Sequence, residues 1–287
     1  MRIKNKVILR EINVKTLKYI LTYLVMFALA IIFLIPFIWM VVTALKIPDQ
    51  VFSYPIEWIP RPVVWSNFIN AWTIKPFTLY LKNTCIITFS SVLGTVITSS
   101  MAAYGFSRTH FPGRDLLFAL MLGTMMVPSV VTNIPLYIIF RIFGWLNTFK
   151  PLIVPSLLGG GSFYIFLLRQ FFLTIPLELE DAAKMDGCST FRIWWTIFIP
   201  LSRPALASVA VLSFVSHWNE FFNPLIYINT QDKYTLSLGL RYFMDEYLTQ
   251  YNLLMAASTL VVLPCIIFFF FTQRYFIEGI VMSGLKE

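Results

Sequence analysis

Long runs without a charged side chain, separated by short polar clusters, set the organisation of this chain. They occupy residues 19–45, 83–107, 116–140, 151–168 and 247–273, and a sixth, 204–231, is interrupted only by Glu220. A helix needs about 20 apolar residues to cross the hydrocarbon of a bilayer, so each run is read as one crossing. The pattern predicts an all-α polytopic membrane protein with six transmembrane helices. The fourth run is the shortest and carries Pro151, Pro155 and the triplet Gly159, Gly160 and Gly161. Such residues are tolerated where neighbouring helices satisfy the freed backbone groups. Pro36, Pro128, Pro135 and Pro264 fall inside other runs and are expected to kink them.

Basic residues orient the crossings. Arg2, Lys4, Lys6, Arg10, Lys15 and Lys18 face only Glu11 in the tail 1–18, and Arg108 and Arg114 mark the short second loop. Lys and Arg accumulate on the cytoplasmic side of membrane proteins, which places both termini there. The membrane domain then covers 19–273, with a cytoplasmic loop at 176–203 and a cytoplasmic tail at 274–287. Two loops lie outside, about 46–82 and 229–250, and the first is rich in Pro and Trp. Neither is long enough for a separate soluble domain.

Composition supports the membrane class and narrows the chemistry. Of the 287 residues, 58% are hydrophobic and 13% charged, about half the charge of a soluble domain. The net charge of +8 is assigned to cytoplasmic loops and lipid, not to nucleic acid. Cys85, Cys188 and Cys265 form no metal-binding or disulfide spacing, and they are read as small apolar packing residues. The chain has no phosphate-binding G-x4-G-K-[ST] loop, so it is expected to hydrolyse nothing itself.

One segment differs from its surroundings. Glu178, Glu180 and Asp181 follow Pro176, and acids in a first turn complement the helix dipole, so a helix starts near Leu177. Leu179, Ala182 and Ala183 share one face at i, i+3, i+4. Gly187 is placed to stop that helix in a left-handed conformation. Ser189 or Thr190 caps a second helix, in which Phe191, Trp194, Trp195 and Phe198 form an apolar stripe ending at Pro200. Lipid headgroups or a protein partner would cover such a stripe equally well.

The residues themselves resemble a known signature. Asp181-Ala182-Ala183, three residues, Gly187, nine residues, then Ile197-Phe198-Ile199-Pro200 is similar to the Glu-Ala-Ala-x3-Gly-x9-Ile-x-Leu-Pro loop of binding-protein-dependent ABC importer permeases. Asp181 replaces the Glu and Ile199 the Leu. The stretches 46–53, 217–225 and 273–279 resemble the carbohydrate, maltose-permease-like branch. The resemblance implies the ABC importer permease fold in a bacterial inner membrane. It also implies a second homologous permease, two ABC ATPase subunits that bind ATP and Mg, and an extracellular solute-binding protein. Glu180, Asp181, Ala182, Ala183, Gly187, Ile197 and Pro200 would couple to the ATPase. Gly279, Ser283 and Gly284, in the tail, would also touch it. No cofactor is expected on this chain, and the cargo would be a sugar or oligosaccharide, with glycerol phosphate or a polyol as alternatives.

Glu220 is the only acid within a predicted span, and a charge there costs about 2.5–3.5 kcal/mol unless it meets water or a partner. With Asn219 and Asn223, one helical turn apart, it suggests a polar face along a translocation pathway. A helix-to-helix hydrogen bond beside Pro224 accounts for it equally well. A pathway with a single acid disfavours strongly anionic cargo. Ion- or proton-coupled carriage is a further alternative. His110 and His217 offer no proton relay, and the clustered His, Asp or Cys of a membrane-embedded enzyme are missing.

Overall fold

The computed structural model describes the backbone of residues 2–244 and 250–284, and the side chains of 16–244 and 250–273. In chain order the α-helices are α1 (Arg2–Ala44), α2 (Ser66–Thr73), α3 (Phe77–Arg108), α4 (Arg114–Thr124), α5 (Ser129–Ile142), α6 (Lys150–Leu157) and α7 (Ser162–Phe172). They continue as α8 (Leu177–Met185), α9 (Thr190–Ile193), α10 (Ile199–Leu201), α11 (Arg203–Trp218), α12 (Phe222–Tyr227), α13 (Leu236–Leu240) and α14 (Tyr251–Gly284). No strand occurs among the described residues.

Two compact units divide the chain, one taking residues 1–71 and 243–259, the other 72–242 and 260–287. In the first, α1 runs unbroken through the boundary expected at residue 18, so tail and first crossing share one helix. The apolar stretch of α1 buries almost nothing within the chain: Tyr23, Phe27 and Phe33 are all exposed. A surface this apolar requires lipid or another subunit. The chain leaving α1 is pinned by Asn67, whose Nδ2 donates to the carbonyls of Ala44 and Lys46 at 2.9 and 2.8 Å.

In the second unit α3 is the central element, with α6, α7 and α11 packed around it. Thr84, Thr88, Ser91, Thr95 and Ser99 recur at helical spacing along α3 and are all buried. Small side chains let helix backbones approach closely, and their hydroxyls bond across the interface. Ser91 Oγ donates to the Leu152 carbonyl at 3.1 Å, and Thr98 Oγ1 reaches the Ser156 carbonyl at 3.2 Å.

Proline marks two of the breaks in the predicted spans, and the glycines 159–161 mark a third, between α6 and α7. The third expected span is not straight: α4 and α5 meet at 100° across Met125–Pro128. Pro128 lacks an N–H and its ring crowds the carbonyl four residues back, which belongs to Thr124, the last residue of α4. The same geometry ends the fifth: Pro224 crowds the Glu220 carbonyl, and the backbone leaves the helix at Asn219. That carbonyl instead accepts from Ser237 Oγ at 2.5 Å. Pro36, Pro135 and Pro264 remain inside α1, α5 and α14. Among the described residues four helical stretches are long and apolar enough to cross a membrane, or up to six if α4 with α5 and Thr190–Leu201 with Arg203–Trp218, which meet at 82°, each count once.

Asn147 fastens two connections of this unit. It adopts φ 57°, a left-handed conformation that Asn tolerates, and its Oδ1 accepts from the backbone N–H groups of Asn229 and Thr230 at 3.2 Å each. Lys233 Nζ donates to its carbonyl at 2.8 Å.

Candidate functional site

The loop 176–203 folds as the sequence leads one to expect at its turns, and differently on its faces. α8 starts directly after Pro176 with Glu178 and Glu180 in its first turn. It ends in a Schellman motif: Cys188 N–H bonds the Ala183 carbonyl and Gly187 N–H the Lys184 carbonyl, each at 3.0 Å, with Gly187 at φ +77°. Ser189 caps the next helix, its Oγ accepting from Arg192 N–H at 3.4 Å.

The face formed by Leu179, Ala182 and Ala183 divides, since Ala183 is buried and the other two are exposed. The aromatic stripe divides as well. Trp194 and Phe198 are 3% and 0% exposed, whereas Phe191 and Trp195 are 62% and 57% exposed. A π-helical turn over Trp194–Phe198 accounts for this. Its wider winding aligns residues i and i+5, so Ile193 and Phe198 both point into the core. Of the residues assigned to coupling, Asp181, Ala182, Gly187 and Pro200 are exposed, Ile197 is half-buried, and Glu180 and Ala183 face inward. The last two therefore shape the loop and are not on its outer surface.

Glu180, 3% exposed, belongs to a buried charge cluster that the sequence does not reveal. Arg108, at the end of α3, donates from Nη2 to the carbonyls of Phe172, the last residue of α7, and of Ile175, in the turn that follows it. Its Nε lies 4.0 Å from Glu180 Oε2, and its guanidinium sits 5.1 Å from the centre of the Phe198 ring. Lys184 Nζ reaches Glu180 Oε1 at 2.9 Å. Tyr104 packs edge-on against Phe198 with ring centres 4.8 Å apart. In sequence Arg108 reads only as a basic loop residue, because its partners lie in distant segments.

Inside the same unit, a cavity of about 210 Å³ is lined in part by Glu220, Asn223, His217, Ser156, Thr84 and Tyr227. The structure brings Glu220 and Asn223 together there but excludes Asn219, whose Nδ2 turns back to the Val215 carbonyl at 2.9 Å. Asn219 and Asn223 are not one turn apart on a single helix, because the Pro224 break lies between them. Glu220 Oε1 accepts from Phe222 and Asn223 N–H at 3.0 and 3.1 Å and so caps α12. His217 lies 2.8 Å by Nδ1 from the Ser213 carbonyl, which only accepts, so Nδ1 carries the proton. Nε2 then accepts from Ser156 Oγ at 3.1 Å.

His110 is exposed, and no group of His, Cys, Asp or Glu with the arrangement of a metal site occurs among the described residues. The backbone of Gly279, Ser283 and Gly284 continues α14, so the expected tail begins as helix. The surroundings of these three residues lie outside the described ones.

Comparison with known proteins places this architecture. Residues 94–281 match the family described as binding-protein-dependent transport system inner membrane component. The chain is 36% identical to a probable ABC transporter permease protein, YurM, of Bacillus subtilis, over 92% of this chain and 87% of that one. It is 33% identical to the probable starch degradation products transport system permease protein AmyC of Thermoanaerobacterium thermosulfurigenes, over 97% and 100%. Its fold matches a chain in the crystal structure of a bacterial ABC transporter that imports the acidic polysaccharide alginate. The TM-score is 0.79 at 23% identity, covering 90% of this chain and 95% of the other.

Proposed function

Because the chain belongs to the family of binding-protein-dependent transport system inner membrane components, we propose that it is a permease subunit of an ATP-driven importer of sugars or oligosaccharides in a bacterial plasma membrane. It is a non-catalytic, multi-pass membrane component. Six crossings with both termini inside remain our reading of the topology, α4 with α5 supplying the third and α11 with α12 the fifth. The energy would come from ATP and Mg held by two partner ATPases, and the cargo from a solute-binding protein outside. A second, homologous permease would complete the path. AmyC's starch-derived cargo supports a carbohydrate here.

The observation that carries this reading is the loop 176–203. It presents Leu179, Ala182, Phe191 and Trp195 outward, while Trp194, Phe198 and Ala183 fix it to the core beneath. An exposed apolar surface on a firmly anchored element is suited to a protein partner. Closure of the ATPase pair would move this loop, and α11, which follows it directly, would carry the motion into the bundle. Purification of the chain from its native membrane should bring an ABC ATPase with it; its absence under mild detergent would sink the reading.

The cavity at Glu220 is suited to sugar hydroxyls, which need donors and acceptors in an otherwise apolar wall. Glu220→Gln keeps an oxygen to cap α12, whereas Glu220→Ala removes it and should destabilise the chain by about 1 kcal/mol. Asn223→Ala should weaken the apparent affinity for an oligosaccharide by about three- to tenfold, the effect of one lost hydrogen bond. Uptake by a panel of labelled oligosaccharides in proteoliposomes measures this. Unchanged uptake in both Glu220→Gln and Asn223→Ala would leave the cavity a purely structural feature.

A further inference from the structure

Resting on the importer reading for its consequence but not for its geometry, we propose that Arg108 is a positioning residue that joins the loop 176–203 to α3 as one rigid lever. Movement imposed on the loop would then reach the bundle through α3 as well as through α11.

Covalent connection alone does not give this result. The loop continues the chain from α7 and runs on into α11, so those two helices must follow it. α3 has no covalent tie of this kind: it packs against α7 and α11, and it meets the loop itself at its last turns, where Tyr104 packs on the Phe198 ring and Arg108 meets three segments at once. The guanidinium donates to the Phe172 and Ile175 carbonyls, lies 4.0 Å from the Glu180 carboxylate on α8, and covers the Phe198 ring at the end of the π-turn. The side chains of Arg108 and Glu180 are only 3% and 4% exposed. The carbonyls at the end of a helix carry partial negative charge, so α7 and the Glu180 carboxylate would repel each other without a cation between them. Lys184 compensates only the other carboxylate oxygen, from a side chain that is 55% exposed. Arginine suits the position because its planar fork serves acceptors in several directions and its face stacks on a ring, whereas a lysine ammonium is a single point charge.

Nitroxide labels at Lys82→Cys on α3 and Met185→Cys at the end of α8 test the proposal, with Cys85, Cys188 and Cys265 replaced by alanine. Both label sites are exposed. The double electron–electron resonance distance is measured in nanodiscs, in the chain alone and in the complex with and without ATP and vanadate. A single narrow distribution, unmoved by nucleotide, is expected with Arg108 present. Loss of that narrow distribution is expected in Arg108→Met, and equally in Arg108→Lys, which keeps the charge without the fork.

The double variant Arg108→Met with Glu180→Gln removes both buried charges together. It should assemble normally and still show the broadened, nucleotide-sensitive distance, separating a lost clamp from a misfolded chain. A distribution in the double variant identical to that of the parent overturns the proposal. So does a nucleotide-driven shift in the parent, or a double variant that fails to assemble. The measurement on the chain alone stands whether or not an ATPase co-purifies, so failure of the importer reading remains distinguishable.

Discussion

Gly187→Val is expected to abolish solute uptake while leaving membrane insertion of the chain intact. Gly187 closes the Schellman turn at φ +77°, where a β-branched residue is strained by about 1–3 kcal/mol. A Cβ at this position would meet no atom of the chain within 4 Å, so the penalty within the chain is conformational, not steric. That separates two roles. Asparagine tolerates the left-handed region, so Gly187→Asn should keep the turn while adding bulk to the outer surface. If uptake survives in Gly187→Asn, the turn is what matters. If both variants fail and both lose the co-purifying ATPase, the partner needs a bare backbone there. Normal uptake by Gly187→Val would remove the coupling role from this loop.

Gly160→Ala should destabilise the fold more than any other single methyl added in the second unit. The residue sits at φ +66° in the break between α6 and α7. A Cβ would lie 2.1 Å from Ser99 Oγ and 2.8 Å from the Thr95 carbonyl, the latter part of the α3 backbone. The Ser99 side chain can rotate, but the carbonyl has nowhere to go without α7 lifting off α3. Backbone strain of about 1–3 kcal/mol and overpacking of about 1–3 kcal/mol together predict a loss of several kcal/mol. Thermal unfolding in detergent, followed by tryptophan fluorescence, measures it. Gly105→Ala is the matched control: it lies within α3, has open space at its Cβ, and should be neutral or stabilising by about 0.5–1 kcal/mol. Equal melting of the two variants would mean that the close approach of α7 to α3 is not what holds this unit together.

The Glu220 region shows how one residue serves two purposes. Its carboxylate caps α12 while also lining a cavity. Both accounts that the sequence leaves open, a pathway group and a structural hydrogen bond, therefore meet at the same side chain. They are separable only because glutamine preserves a capping oxygen and alanine does not.

What the sequence determines by itself is local and periodic. The apolar runs place the helices, because a bilayer demands about 20 apolar residues per crossing. The acids after Pro176, the glycine at 187 and the serine at 189 place the two short helices, because caps and left-handed turns depend on chemistry within a few residues. The hydroxyls spaced along α3 became apparent as a packing face only with their burial in the structure. Tertiary structure decides the rest. Pro128 follows a break and Pro135 stays within a helix, although both are the same residue type, and at Pro224 the freed Glu220 carbonyl is received by Ser237, a partner no local pattern announces. Which half of the aromatic stripe turns inward depends on a π-turn, and the meeting of Arg108 with Glu180 depends on how α3, α7 and α8 converge. A buried charge is stable only beside its partner, and no pattern along a single chain states which distant segment will supply it.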